Sequence, residues 1–234
     1  MTKRLRTTAA APAARRALAA LALVTGSVLL GAGEAAAQRV VHLFQEPRHR
    51  TVFVYNEDVR VLDVQINPGD TSLVHTHDSA ILLNSIHRGS GPANGSVSSN
   101  TRYAEEPYSH AVSNSGPGLM RIIAMPNGSG GLEDLSADRP DGLAGEPALE
   151  NAWFRSYRID LAPGEETTVH RHRNPVLIVQ VTEGKAHVTR EDGITAELTE
   201  MGHWTWRNPE SSYRIRNAGS VPIGVNVDEA RGLR

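Results

Sequence analysis

The sequence predicts an all-β fold made of two tandem copies of one strand-rich unit. Three observations predict it. A segment at 66–89 recurs at 161–184, short apolar runs are separated by turns rich in glycine and proline, and no long helical periodicity follows residue 37. Many short strands between such turns favour a closed or double-sheet β architecture.

The first 37 residues have the order of a cleaved secretory signal peptide. Basic residues come first, an apolar run follows at 17–33, and the small residues 35–37 precede Gln38. An anchoring helix is the alternative, but residues 25–27 interrupt the run, which is short for a span of roughly 20 residues. We therefore expect an exported protein, periplasmic or extracellular, with no transmembrane span in the mature chain. The adjacent Arg15 and Arg16 loosely match a twin-arginine signal.

The charge and the cysteine count exclude several classes of function. After residue 37 the chain has 19 basic and 25 acidic side chains, a net charge of −6, which argues against nucleic acid and anionic membranes as partners. The chain has no cysteine, so disulfides and thiolate chemistry are excluded. The partner we expect is a small organic substrate or ligand, and a homodimer is left open.

The internal repeat divides the mature chain. INPGDTSLVHTHDSAILLNSIHRG (66–89) aligns with LAPGEETTVHRHRNPVLIVQVTEG (161–184) at an offset of 95 residues. Further on, YSHAVSNSG (108–116) aligns with SSYRIRNAG (211–219) at an offset of 103. We predict an N-terminal barrel at 38–125, a linker rich in Gly, Pro and Asp at 126–148, and a C-terminal barrel at 149–234.

Four segments of this chain are typical of strands. Residues 59–69 and 154–164 alternate roughly between polar and apolar side chains and end in Pro-Gly turns. Residues 118–125 and 176–181 are short apolar runs with β-branched side chains.

Each copy carries two histidines one residue apart. Because residues i and i+2 of a strand share a face, His75 and His77 present two imidazoles together, as do His170 and His172. Imidazole is a ligand for Fe, Zn, Cu and Ni, and a third ligand must come from another strand. His110 is the candidate in the first copy.

These spacings resemble the motifs of the cupin superfamily. Gly69 and Gly164 are each separated by five intervening residues from a His-x-His, with Gly89 and Gly184 closing the segment, as in the first cupin motif. The end of the second motif, His-x3-Asn, is similar to 110–114 and, with tyrosine in place of histidine, to 213–217. The resemblance implies a bicupin of two jelly-roll barrels. The acidic ligand of the first motif falls at Leu82 and Leu177 in this chain.

The resemblance implies a three-histidine metal site at His75, His77 and His110. Such sites occur among cupin dioxygenases that use Fe(II), and Leu82 is then expected in the pocket wall. A second, weaker site would have His170, His172 and Tyr213. Fe(II) is the leading metal, with Mn, Zn, Ni and Cu as alternatives, and no general base is identified.

The function that this resemblance implies is oxygenation of a small chelating organic anion. A non-catalytic module that binds or senses a metal or small ligand is one alternative. A Zn or Mn lyase or isomerase is the other.

Overall fold

The computed structural model describes residues 39–233, and in this range it contains seventeen β-strands. The helical segments there are two short 3₁₀ turns, Leu43–Gln45 and Arg102–Ala104. The predicted all-β fold is confirmed. None of the helices in the described range is long and apolar enough to span a membrane. The predicted signal peptide at 1–37 lies outside the described residues.

The first copy supplies eight strands, arranged in two sheets. Their bounds are β1 Val40–His42, β2 His49–Val54, β3 Arg60–Ile66, β4 Val74–His77, β5 Ala80–Arg88, β6 Pro92–Asn100, β7 Tyr108–His110 and β8 Met120–Asn127. A three-stranded sheet has the order β1-β4-β7, and a five-stranded sheet has the order β2-β3-β8-β5-β6. Side chains from both sheets line one cavity.

The second copy supplies nine strands, also in two sheets. Their bounds are β9 Leu149–Glu150, β10 Phe154–Leu161, β11 His170–Arg171, β12 Val176–Gln180, β13 Ala186–Arg190, β14 Thr195–Leu198, β15 Trp204–Arg207, β16 Ser212–Asn217 and β17 Ile223–Ala230. The sheet orders are β11-β16-β13-β14 and β15-β12-β17-β10-β9. The strands predicted from 59–69, 118–125, 154–164 and 176–181 are β3, β8, β10 and β12.

The two repeat asparagines make the same hydrogen bonds in both copies. The Nδ2 of Asn114 donates to the carbonyls of Ile66 and Gly118, both at 2.8 Å. In the second copy, the Nδ2 of Asn217 donates to the carbonyls of Leu161 and Val221, at 3.0 and 2.8 Å. Each amide therefore ties the strand before the Pro-Gly turn to the loop that follows the asparagine.

The Pro-Gly turns also match between the copies. Gly69 and Gly164 have φ angles of 78° and 79°, in the left-handed region that a side chain disfavours. Nothing lies within 4 Å of a Cβ added at either position, so the turn requires glycine for its backbone angle rather than for space.

An apolar cluster joins the five-stranded sheets of the two copies. Leu82 of β5 and Leu177 of β12, the two leucines at the same repeat position, both lie in it and are fully buried. The other buried members are Val59, Val61, Ala80, Ile86, Ile123, Met125, Phe154, Val179, Val181 and Ala230. The described residues, 39–233, lie in one compact unit, and the domain boundaries at 125 and 149 stay predictions.

A buried polar group lies at the same junction. Asp228 accepts hydrogen bonds from Ser156 Oγ at 2.6 Å and from Asn84 Nδ2 at 2.8 Å. Asn226 Nδ2 donates to Asn84 Oδ1 at 2.7 Å. Burial raises the pKa of Asp228 to about 6, although both hydrogen bonds oppose the shift. These bonds fix the position of β5 relative to β17 in the neighbouring sheet, because each polar atom has a defined partner.

Two buried arginines hold the segment at 126–148 that was predicted as a linker. Arg155 donates to the carbonyls of Leu135, Ala137 and Asp138 at 2.8–2.9 Å. Arg231 donates to the carbonyl of Asp134 at 2.7 Å. The segment has no strand between Asn127 and Leu149, yet its backbone carbonyls are bonded to the second copy.

Leu82→Ala is expected to lower the free energy of unfolding by about 2–5 kcal/mol, because it leaves a void between the two copies. Leu135→Ala is the matched control, since that side chain is 41% exposed, and it should change stability by less than about 0.5 kcal/mol. Urea denaturation measures both. Equal effects of the two substitutions would contradict the buried position of Leu82.

Candidate metal centre

Three histidines of the first copy converge on one cavity. His75 and His77 lie on the same face of β4, and His110 of β7 pairs directly with His75 across the sheet. One nitrogen from each ring lies within 4.8 Å of the others. The structure thus brings together the three residues that the sequence predicted as ligands.

The hydrogen bonds of His75 leave one nitrogen free. Its Nδ1 lies 3.0 Å from the carbonyl oxygen of Leu73, which can only accept, so Nδ1 carries the hydrogen. The Nε2 of the same ring is buried without a partner, and so is the Nδ1 of His77. A buried polar atom without a partner costs about 1–3 kcal/mol, and such atoms call for an explanation such as an ion.

His77 and His110 face each other through their Nε2 atoms, which are 3.1 Å apart. Burial, together with the neighbouring His75 and His110, lowers the pKa of His77 to about 3. Burial and His75 also lower the pKa of His110. Both rings are therefore neutral at neutral pH, the form in which imidazole binds a metal.

A cavity of about 230 Å³ adjoins the histidines. Tyr103 lies at its outer side, with its ring 4.8 Å from that of His77. The Tyr103 ring stacks on the Tyr108 ring, with 5.8 Å between their centroids. Tyr103 and Asn100 line both the cavity and a neighbouring hollow on the surface. Tyr103 therefore separates the cavity from the surface hollow.

His49 is a further histidine of this cavity that the sequence analysis missed. It begins β2, is 4% exposed, and its ring lies edge-on to that of His75 at 4.4 Å. Its Nδ1 has no partner. Burial and the neighbouring His75 lower its pKa to about 4, against the charge of Glu46, which raises it. The internal repeat did not point to His49, because the residue 95 positions later, at the repeat offset, is Ala144 and not a histidine.

Leu82 does not line the cavity, so the expectation that it forms part of the pocket wall was wrong. The cavity is lined by its neighbours Ile81 and Leu83, whereas Leu82 packs toward the second copy. The reason is the alternation of a strand, which turns successive side chains to opposite faces.

The second copy uses its histidines differently. The Nδ1 of His172 lies 2.7 Å from Glu229 Oε1, and its Nε2 lies 2.9 Å from the Tyr213 hydroxyl. Because the carboxylate can only accept, Nδ1 donates to Glu229 and Nε2 accepts from Tyr213. Burial holds the pKa of Tyr213 well above its usual value, so the phenol keeps its proton.

Both nitrogens of His172 therefore have partners within the protein. Glu229 also accepts from Arg155 at 2.9 Å, which completes a buried chain from Tyr213 to the arginine. The second, weaker metal site at His170, His172 and Tyr213 stays a prediction. In this arrangement a metal would have to displace the Tyr213 hydrogen bond.

Comparisons with known proteins identify the fold. No protein-family model matches the chain, and a search of curated proteins finds no significant match. Among solved structures, a salicylate 1,2-dioxygenase from Pseudaminobacter salicylatoxidans matches with a TM-score of 0.51 and 10% identity, over 79% of this chain and 77% of that chain. AerE from Microcystis aeruginosa matches with a TM-score of 0.49 and 12% identity, over 79% of this chain and 98% of that chain.

Bacillus subtilis oxalate decarboxylase, a protein with Mn(II) centres, matches with a TM-score of 0.48 and 13% identity, over 76% of this chain and 70% of that chain. Several other solved neighbours are cupin domains. At such identities the likeness shows the fold alone, which this chain shares with the salicylate 1,2-dioxygenase.

Loss of stability in acid is expected from the buried histidines. His170 is 1% exposed, and burial lowers its pKa from 6.5 to about 4, with His172 adding to the effect. Between those values the unfolded chain binds a proton that the folded chain does not, so stability falls as the pH drops from 6.5 to 4.

His170→Gln removes this contribution, so the difference in unfolding free energy between wild type and variant should shift by roughly 3 kcal/mol between pH 7 and pH 4. Asp228 acts in the opposite direction, because its raised pKa lets the folded state bind a proton first, but it is present in both proteins. Urea denaturation in the presence of a chelator measures the difference. A difference that is constant across this pH range would contradict a neutral, buried His170.

Proposed function

We propose that this chain is an exported metal-binding protein of the cupin fold, with one working centre formed by His75, His77 and His110. Its proposed activity is oxygenation of a small chelating organic anion by a mononuclear non-haem metal, Fe(II) before Mn, Zn, Ni or Cu. The observation that carries the proposal is the convergence of three imidazoles within 4.8 Å beside a cavity.

The donor atoms fit a transition metal. Three nitrogens bound at 2.0–2.1 Å from one ion would lie about 2.9–3.4 Å apart, so the rings need to move inward only modestly from their present separations of up to 4.8 Å. The Nε2 of His75 carries a free lone pair, as its Nδ1 holds the hydrogen. One of the facing Nε2 atoms of His77 and His110 carries the hydrogen of their mutual bond, and that ring would have to hold its hydrogen on Nδ1 in order to bind a cation through Nε2.

The residues around the centre have separate roles. The bond from His75 Nδ1 to the Leu73 carbonyl fixes the orientation of the ring, as the second nitrogen of a ligating histidine usually does. Tyr103 and the aliphatic side chains of the cavity exclude water. A divalent ion held by the three histidines would supply a Lewis acid and, as iron, redox chemistry with oxygen.

The second copy supports the first without binding a metal of its own. Its His172 is occupied by Tyr213 and Glu229, and its large sheet packs on β5 through Leu177. We assign it the role of a structural partner for the barrel that contains the centre.

Metal content is the direct test. After anaerobic reconstitution with Fe(II) and removal of excess ion, the protein without residues 1–37 should retain about one equivalent. His110→Ala should retain less than about 0.3 equivalents, because it removes one of three ligands. His170→Ala, a histidine buried in the second copy, should retain the wild-type amount. Elemental analysis reports all three.

Retention of full metal by His110→Ala would show that the third ligand is wrong. Loss of metal in His170→Ala but not in His110→Ala would move the centre to the second copy. Oxygen consumption with chelating organic acids and hydroxyketones then distinguishes an oxygenase from a binding module, since a binding module consumes none.

Export is tested with residues 1–40 alone. Fused to a reporter protein, they should direct it out of the cytoplasm in a bacterial host, with cleavage near residue 37. Replacing Arg15 and Arg16 by lysine should abolish export only if the twin-arginine route is used. Cell fractionation measures this, and a reporter that stays cytoplasmic in the unaltered fusion contradicts the proposal.

A further inference from the structure

The cavity of the first copy has two unlike walls. The three-stranded sheet contributes the three candidate ligands, from β4 and β7. The five-stranded sheet faces them mainly with aliphatic side chains from β3, β5 and β8, which are Leu62, Val64, Ile81, Leu83, Ile122 and Ala124. It also contributes His49 from β2 and the uncharged polar side chains of Ser98, Ser99 and Asn100 from β6. A molecule bound to an ion at the histidines would therefore place the rest of its atoms mainly against hydrocarbon.

The side chains that line this cavity in the described part of the chain include no lysine, arginine, aspartate or glutamate. The carboxylate of Glu46, behind His49, accepts hydrogen bonds from the backbone amides of Leu73 and Arg48. Arg102 is 80% exposed in the adjacent surface hollow and pairs with Glu106 at 2.8 Å. A carboxylate on the body of a ligand would be buried here without a cation.

We propose that the ligand of this centre has one oxygen-chelating head and an uncharged, apolar body, and that the cavity discriminates against dicarboxylic acids. The inference rests on the proposed function, since the head requires a bound ion. The aliphatic wall selects the body because it offers apolar contact, and the polar side chains of the lining, Ser98, Ser99 and Asn100, supply no positive charge to pair with a carboxylate. Each methylene buried against it should strengthen binding about four-fold.

Three hydroxamates with the same chelating head test the proposal. Acetohydroxamate has a single methyl group as its body, butanohydroxamate adds two methylenes, and succinic monohydroxamate replaces the terminal methyl of butanohydroxamate with a carboxylate. The probes are titrated into the Co(II)-loaded protein without residues 1–37, and the visible absorption of the ion reports binding. Butanohydroxamate should bind about sixteen-fold more tightly than acetohydroxamate, and succinic monohydroxamate at least about ten-fold more weakly than butanohydroxamate.

Variants at Leu83 test whether the aliphatic wall causes the preference for an apolar ligand body. Leu83→Ala should reduce the advantage of butanohydroxamate over acetohydroxamate. Leu83→Arg should reverse the preference in favour of succinic monohydroxamate, because it supplies the missing cation. Val54→Arg introduces the same side chain at a position that is 53% exposed on β2, and it should leave the wild-type order unchanged.

The outcomes separate the two proposals. Failure to bind Co(II), or binding of Co(II) without any binding of acetohydroxamate, overturns both the proposed function and this inference. Binding of all three probes with no effect of the body, or a wild-type preference for the carboxylate, overturns the inference alone. The wild-type series decides this even if Leu83→Arg fails to fold.

Discussion

Strand β5 is buried on both faces, and this constraint determines both the centre and the junction between the copies. Ile81 and Leu83 face the cavity, whereas Leu82 and Asn84 face the second copy. Because successive residues of a strand point to opposite sides, a slip of one residue would exchange the two sets. The apolar wall opposite the histidines and the apolar contact between the copies are thus two sides of one nine-residue strand.

The sequence was most informative where the repeat and the strand period agreed. Two His-x-His pairs at the same repeat position predicted His75 and His77 on one face, and the aligned asparagines led to His110. The sequence could not predict to which side of the strand Leu82 points. Strand β5 has apolar residues on both sides, so it shows no alternation of polar and apolar residues. His49 has no counterpart in the second copy, so nothing distinguished it from an isolated strand histidine. Glu229 was missed because it contacts His172 across 57 residues, a distance that no local pattern spans.

The two copies share the Pro-Gly turns and the asparagine hydrogen bonds, and each keeps a buried histidine nitrogen without a partner, but the second histidine of each pair differs. In the first copy the Nδ1 of His77 has no partner, and the cavity beside it is lined mainly by aliphatic side chains. In the second, Tyr213 stands where the first copy has His110, and its hydroxyl occupies the nitrogen of His172. The chain in the second copy also needs Glu229, which accepts from His172 and from Arg155, and at the matching register position the first copy has Pro126.

The last strand, β17, carries neighbouring residues that serve different copies. Asp228 bonds to Asn84 of the first copy, while Glu229 bonds to His172 inside the second. Synthesis proceeds from the N-terminus, so the outer face of β5 emerges from the ribosome more than a hundred residues before its partner does. Until β17 has been synthesised, Asn84 lacks its partners Asn226 and Asp228. This polar contact between the copies therefore forms only after both have been almost fully translated.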